Sequence, residues 1–503
     1  MAITIDCLPN EILVKIFVLH QPPRIEGHDR GTKPEWRDAC AWAPLMGVCR
    51  HWRAVALETP LLWQVVDVGN STKWLELAIA RTRDAVLELY FHSHRTGVEA
   101  LLMLIMPHIH RVRKLLLPPM SLACLILLSP IHNETFPVLD ELRLWVDEPQ
   151  ELRVAEYVPF DLSPSRLPAL RVLHLQIAVV PWTAATMSRL RYLSLRSCSP
   201  LQPIPSFRQF LDVIEACSEL EELELHHFIS RFASSSIHES TRTIRLPKLR
   251  ELVLGDAPDS IAHFIANVYI EETVTVRLEG WPAIIGDELQ EGFQSLLPKN
   301  TSHLPVLRTL TEVWITLNIE DDQEIIGVVP RRSLPLTLSL STKVDYTGWW
   351  SYHSTMLTEF AILFRDVRLQ TLRVFLEPQN TQSFHTWIEL FAAFPTLQHL
   401  EIHPGGDPVH VFMALSSLSA PTEGPQLSRP LCPNLRRLEM DYLEFSERQH
   451  RLMLIALRKR AALGIPKLEY VGLRYNEDGA RKMRALVGDI SDYVTVFDCS
   501  SSL

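Results

Sequence analysis

Apolar residues along this chain follow two different periods. Near its start, Leu8, Ile12, Leu13, Ile16 and Phe17 recur at i, i+4, i+5, i+8 and i+9, one stripe of an amphipathic helix. Pro9 in the first turn costs nothing there, because that N–H has no intrahelical partner, and Glu11 complements the positive end of the helix dipole. Farther along the period becomes two. The pattern L-x-x-L-x-L recurs at Leu139/Leu142/Leu144, Leu170/Leu173/Leu175, Leu190/Leu193/Leu195, Leu220/Leu223/Leu225 and Leu249/Leu252/Leu254. Looser copies stand at Leu397/Leu400/Ile402, Leu435/Leu438/Met440 and Leu468/Val471/Leu473, and the stretches Leu304–Leu317 and Leu369–Leu376 are degenerate versions. In each L-x-L an extended chain sends both leucines to one side and the residue between them to the other.

Helical spacing precedes several of these strands. Phe207, Phe210, Leu211 and Ile214 keep i, i+3, i+4, i+7 before Leu220, as do Phe384, Trp387, Ile388 and Phe391 before Leu397; Phe360, Leu363, Phe364 and Val367 precede Leu369. Helix, corner and strand in repetition predict an α/β solenoid with a parallel inner sheet and outer helices. The first leucines are 31, 20, 30 and 29 residues apart in the clean block and 38 and 33 in the last, and no asparagine follows the L-x-L strands. That disfavours a regular repeat with an asparagine ladder; an ordinary α/β domain with leucine-rich strands is the alternative. The interval 256–369 is the least regular. Its run Glu320-Asp321-Asp322 reads as a solvated loop, and its aromatics Tyr346, Trp349, Trp350 and Tyr352 either fill a gap between imperfect repeats or form a binding patch.

At the N-terminus, the first helix gives way at Gln21–Pro34 to a loop of prolines, glycines and mixed charge. A second helix is expected over Trp36–Met46. A third runs from near Val48 to before Pro60 with Trp52, Val55 and Ala56 on one face, and Leu61-Leu62-Trp63 follow. Three short helices bury little of their own surface. Their apolar face is therefore covered either by a partner or by the repeats behind.

Three blocks now stand in order: Leu8-Pro9-x-Glu11-Ile12-Leu13-x-x-Ile16-Phe17, Val48-Cys49-Arg50-x-Trp52-Arg53-x-Val55-Ala56 and Thr59-Pro60-x-Leu62-Trp63. Together they resemble the F-box motif, in the form with an extended loop that large fungal families carry; with the region behind, the chain resembles F-box proteins with irregular leucine-rich repeats. The resemblance implies an F-box-like domain at 1–70 and a leucine-rich-repeat-like solenoid at 71–503. It also implies an SKP-type adaptor as partner and, through it, a cullin. By the same resemblance Leu8, Pro9, Ile12, Leu13, Ile16 and Phe17 contact the adaptor's helices, and Val48, Trp52 and Trp63 join that contact or hold the module together. The Gln21–Trp42 insertion departs from the compact form and leaves the second helix's register open. The expected function is that of a substrate-recognition subunit of an SKP–cullin–F-box ubiquitin ligase, holding a target protein on its repeats. An adaptor-binding scaffold outside any ligase and a ligand-sensing or enzymatic solenoid are the alternatives.

Composition changes this picture little. With 503 residues and 47% hydrophobic content a large core is available, and 35 prolines against 18 glycines suit many short elements joined at defined corners. A net charge of −10 gives no basic field, so nucleic acid is not an expected partner; Arg111–Lys114 and Arg458–Arg460 read as solvated faces. Leu115–Ile131 is uncharged, yet it holds three prolines and falls short of about 20 apolar residues, so a buried strand, turn and helix is expected rather than a membrane span. The eight cysteines form no CxxC pair and read as reduced thiols. Met1–Asp6 lacks a basic n-region and an apolar h-region, so no secretory signal is expected, and Cys499 lies one residue too far upstream for prenylation. The protein is thus expected in the cytoplasm and/or nucleus, with the sequons at Asn70, Asn133 and Asn300 unused.

No phosphate loop, dinucleotide fingerprint, H-E-x-x-H or nucleophile elbow occurs. His92/His94 and His108/His110 have H-x-H spacing, which on a strand would put two imidazoles on one face, but no third ligand accompanies either pair. His226-His227 would point to opposite faces of a strand. No enzymatic activity, metal or cofactor is expected.

Overall fold

The computed structural model describes residues 8–20, 42–68, 72–91, 98–117, 119, 134–145, 158–159, 161–232, 242–281, 284–285, 288–289, 293–317, 323–328, 338–342, 356–376, 382–403, 408–418, 429–443 and 445–501. The chain divides into two compact units, Met1–Ser235 and Ser236–Leu503.

In the first unit, helices α1 (Asn10–His20) and α2 (Arg50–Glu58) form the N-terminal module, with short 3-10 turns at Ala43–Gly47 and Pro60–Trp63. Both helix starts are written locally. Pro9 O accepts from the amides of Ile12 and Leu13 at 3.0 and 3.1 Å. Cys49 Sγ accepts from Trp52 N at 3.4 Å and caps α2. Of the helix expected over Trp36–Met46, residues 36–41 lie outside the described residues, and the described end is the Ala43–Gly47 turn with Pro44 in its first positions. Helix α1 runs three residues beyond Phe17, farther than the stripe required.

Behind the module come α3 (Thr72–Thr82), α4 (Val98–Ile105), α5 (Ala184–Met187) and α6 (Phe207–Ala216), with strands β1 (Val65–Val68), β2 (Leu87–Phe91), β3 (Val112–Leu116), β4 (Glu141–Leu144), β5 (Val172–Gln176), β6 (Tyr192–Arg196) and β7 (Glu222–His226). These strands pair in that order, all parallel. Their register stacks Val66, Leu89, Leu115, Leu142, Leu173, Leu193 and Leu223 into one buried row. A second row runs Leu144, Leu175, Leu195, Leu225. A slip of one residue would turn all of these to the opposite face, so the leucines themselves pin the register. Helix α6 carries a full capping box between Ser206 and Gln209 and buries Phe207, Phe210, Leu211 and Ile214.

In seven of the eight copies the first leucine has its own role; Leu468, the exception, already lies in a strand. Leu139, Leu170, Leu190, Leu220, Leu249, Leu397 and Leu435 are all buried. In each, the amide donates to the carbonyl three residues back, at 3.0–3.4 Å, closing a tight turn just before the strand. The leucine therefore plugs the corner while its backbone makes it.

The second unit holds α7 (Pro258–Ala266), α8 (Val306–Thr309), α9 (Met356–Leu363), α10 (Phe384–Ala393), α11 (Val409–Leu415), α12 (Glu447–Ala462) and α13 (Glu477–Arg484). Its strands are β8 (Glu251–Asp256), β9 (Thr275–Gly280), β10 (Glu312–Leu317), β11 (Gln323–Val328), β12 (Leu338–Thr342), β13 (Thr371–Leu376), β14 (His399–His403), β15 (Arg437–Leu443), β16 (Leu468–Tyr475) and β17 (Val494–Ser501). They pair in the order β8-β9-β12-β11-β10-β13-β14-β15-β16-β17. Here the expected parallel sheet needs a correction: β11 runs antiparallel to both neighbours, and β10–β12 form a meander inside the irregular interval. Residues 318–322 and 329–337 join its strands, too few for a parallel crossover, which takes about a dozen.

Leu310, Val313 and Ile315, then Leu369, Leu372 and Val374, take the three buried positions in the degenerate copies. The run 320–322, the aromatics at 346, 349, 350 and 352, and the turn and helix expected after β3 lie outside the described residues. His108 and His110 sit in a 3-10 helix, Met106–Arg111, and not on a strand, because Pro107 stands in its first turn. His92 and His94 lie outside the described residues.

Candidate functional site

The apolar stripe of α1 divides in two. Leu13 and Phe17 are fully buried, and the Phe17 ring meets Trp52 of α2 with centroids 5.2 Å apart. Trp63 continues this core: its indole N–H donates to Ala56 O at 2.9 Å, and Trp42 meets it edge-on at 4.9 Å. Trp63 also packs against Trp74 of α3 at 5.2 Å, and the Thr82 hydroxyl donates to Trp63 O at 3.3 Å. These contacts tie the module to helix α3, which follows it.

The other half of the stripe is uncovered. Ile12 and Ile16 are 39% and 36% exposed, Leu19 is 83% exposed, and Val48 ahead of α2 and Leu61 after it stand at 56% and 46%. Pro9 is exposed as well and Leu8 half-buried. At about 100° per residue, Ile12, Ile16 and Leu19 share one ridge, turned roughly a third of a revolution from the Leu13/Phe17 ridge. One helix thus serves two purposes. Its buried ridge, with Trp52 and Trp63, holds the module; its open ridge presents aliphatic surface to solvent. Leu19 lies outside the predicted set, although its i+3 and i+7 relation to Ile16 and Ile12 continues the ridge.

Among the nine residues singled out from sequence, the structure therefore places Leu13, Phe17, Trp52 and Trp63 inside the module, and Pro9, Ile12, Ile16 and Val48 on its surface, with Leu8 between.

The polar face of the first unit's sheet has a different character. Glu224 lies buried between Arg196, whose Nε donates at 3.0 Å, and His226 at 3.0 Å, while the Tyr192 hydroxyl donates at 3.1 Å. Burial alone pushes the Glu224 carboxyl up, but the His226 hydrogen bond and the Arg196 charge outweigh it and hold the carboxyl far below the usual carboxylate range. Glu141, buried likewise, is held down by Arg143 at 2.6 Å and Lys114 at 2.9 Å. Glu88 pairs with Arg113. Each buried carboxylate has cationic partners in place, an arrangement that closes the face instead of offering a reactive group. Cys198 and Cys217 are pushed by burial up to about 12 and stay as thiols. Among the described residues no group of three or more His, Cys, Asp or Glu is placed to hold a metal ion, and no helix is long and apolar enough to cross a membrane.

Residues 5–68 match the family model described as F-box-like. No curated protein matches the chain.

Proposed function

We propose that this chain, with an F-box-like domain at its head, is a substrate-recognition subunit of an SKP–cullin–F-box ubiquitin ligase. The module docks an SKP-type adaptor and through it a cullin. The strands behind it form a leucine-rich-repeat solenoid that holds a target protein. One observation carries the reading: the open ridge of Ile12, Ile16 and Leu19 stands on a helix whose other ridge already supplies the module's own core. Aliphatic surface of this kind is costly to leave in water unless a partner covers it.

The repeat reading rests on the buried leucine rows and on corners closed the same way in seven copies. The chain works without chemistry of its own. Holding a target beside a charged conjugating enzyme raises their effective concentration, which is sufficient for transfer to a target lysine. On this account the protein acts inside the cell.

The test is copurification. The tagged full chain is expected to bring down both adaptor and cullin, and Ile12→Asp/Ile16→Asp is expected to lose both while the melting temperature holds. Recovery of adaptor without cullin would replace the ligase subunit with a scaffold. Recovery of neither by the wild-type chain would refute the docking role.

A further inference from the structure

Two apolar rows cross the second unit's sheet from strand to strand. Val313, Leu372, Leu400, Leu438 and Val471 form one, and Ile315, Val374, Ile402, Met440 and Leu473 the other, all of them buried. On β17 the rows arrive at Phe497 and Cys499, and both of these are only half-buried. Strand β17 pairs with β16 on one side, and among the described residues no strand pairs with its other side. The core of the sheet thus runs out to an open edge.

The register fixes which backbone groups face that edge. The Tyr470 amide donates to Arg436 O at 3.2 Å, so Tyr470 faces β15 and its neighbour Val471 faces β17. In a parallel ladder the residue opposite an engaged one turns its own N–H and C=O away. Phe497 stands opposite Val471, so Phe497, and with it Thr495 and Cys499, points outward. The Cys499 carbonyl accepts from Arg484 Nε of α13 at 3.3 Å, which fits that direction. Thr495 and Phe497 have no such cover among the described residues. Around them Thr495 and Asp498 are exposed, and Val496 is 51% exposed.

Edges of this kind are ordinarily blunted by lysine, proline or a bulge, which keep another chain from adding a strand. Strand β17 carries neither lysine nor proline, and its one charge is Asp498. It is instead complementary to itself. Laid antiparallel about a twofold axis at Phe497, two copies exchange both backbone bonds between the Phe497 pair and set Thr495 of each against Cys499 of the other. The Phe497 rings then meet across the axis and continue the buried row. Each Asp498 falls opposite Val496 of the other copy, so no carboxylate faces a carboxylate. The Cys499 carbonyl keeps Arg484 and takes the new donor on its second lone pair.

We infer that β17 is the pairing edge for a second copy of this chain, joined antiparallel about Phe497. The copy supplies what the edge lacks: donors and acceptors at matching positions, and apolar surface to cover Phe497 and Val496. Pairing through β17 is independent of the docking role. Where both operate, one particle carries two adaptor-docking modules and holds a target twice over.

Sedimentation velocity of the full chain over a concentration series, with amide exchange measured at its two ends, tests the pairing. The wild type is expected to pass from monomer to dimer, and the Thr495 and Phe497 amides to be protected only in the dimer. Thr495→Pro removes an outward N–H and leaves the inner ladder whole, so it should weaken the dimer at least about tenfold. Position 496 reads the register. Val496→Asp puts a second carboxylate against Asp498 and should weaken the dimer. Val496→Lys puts an ammonium there and should tighten it, although lysine on an edge ordinarily blocks pairing. Both changes fall on an exposed side chain and should melt as wild type, so they carry the test if Thr495→Pro melts early. A chain that stays monomeric, a dimer whose Thr495 and Phe497 amides exchange freely, or a Val496→Lys variant weakened as much as Val496→Asp would overturn the assignment. All these variants should still capture the adaptor, so a failure here is distinct from a failure of the docking role.

Discussion

Truncating the open ridge of α1, together with exposed Val48 ahead of α2, separates binding from folding. The uncovered fractions of Ile12, Ile16, Leu19 and Val48 add to about two fully exposed aliphatic side chains. At about 1.5–3 kcal/mol for full burial of each, covering them is worth roughly 3–6 kcal/mol. Alanine retains part of that surface, so Ile12→Ala/Ile16→Ala/Leu19→Ala/Val48→Ala is expected to forfeit about half, a loss of roughly 10- to 100-fold in adaptor affinity. Phe17→Ala acts differently. It empties a fully buried site against Trp52 and costs about 3–5 kcal/mol of folding stability, enough to open a module this small. Calorimetric titration of the adaptor into each full-length variant, beside thermal unfolding, distinguishes the two. The ridge variant should bind weakly and melt as wild type, whereas Phe17→Ala should lose amide protection across α1 and α2. A ridge variant that bound normally, or melted as early as Phe17→Ala, would refute the division of the helix.

Two further outcomes follow from the first unit. Leu193→Ala, in the middle of the buried row between Leu173 and Leu223, should cost about 2–5 kcal/mol and lower amide protection in β6, while Arg191→Ala at the exposed corner stays within about 0.5 kcal/mol. Glu224→Gln should be destabilising at neutral pH. Because the folded carboxyl titrates below its unfolded value of about 4.3, its stabilisation is complete above that pH and is lost as pH falls through the folded value. The gap in melting temperature between wild type and Glu224→Gln should therefore narrow on acidification below about pH 4, and a gap that widened would refute the charge network.

Much of the sheet was legible because a strand with one covered face must place leucines two apart, and a tight corner before it needs a third. Where both signals coincide, from Leu139 to Leu254, pattern and strand agree in every copy. Strands β1 and β2 escaped because Val65–Val68 and Leu87–Phe91 lack the corner leucine; the alternation Leu87-x-Leu89-x-Phe91 was the remaining trace of β2. The meander escaped for another reason. Strand direction depends on the length of the connections, and Val313/Ile315 alternate alike whichever way the next strand runs.

The docking helix shows the same limit at the level of single residues. Periodicity drew one stripe on α1, but which half is covered depends on where Trp52 and Trp63 stand, and that is a tertiary fact. Cross-strand neighbours in the second unit were hidden more deeply. Glu401 and Glu439 are far apart in sequence and meet only through the register of β14 on β15.

Side-chain oxidation footprinting of the full chain, alone and with an SKP-type adaptor, tests the central claim most directly. Ile12, Ile16, Leu19 and Val48 should be oxidised in the free chain and protected in the complex, with Leu13 and Phe17 shielded in both. Unchanged oxidation at Ile12, Ile16 and Leu19 in a complex that forms would contradict the account.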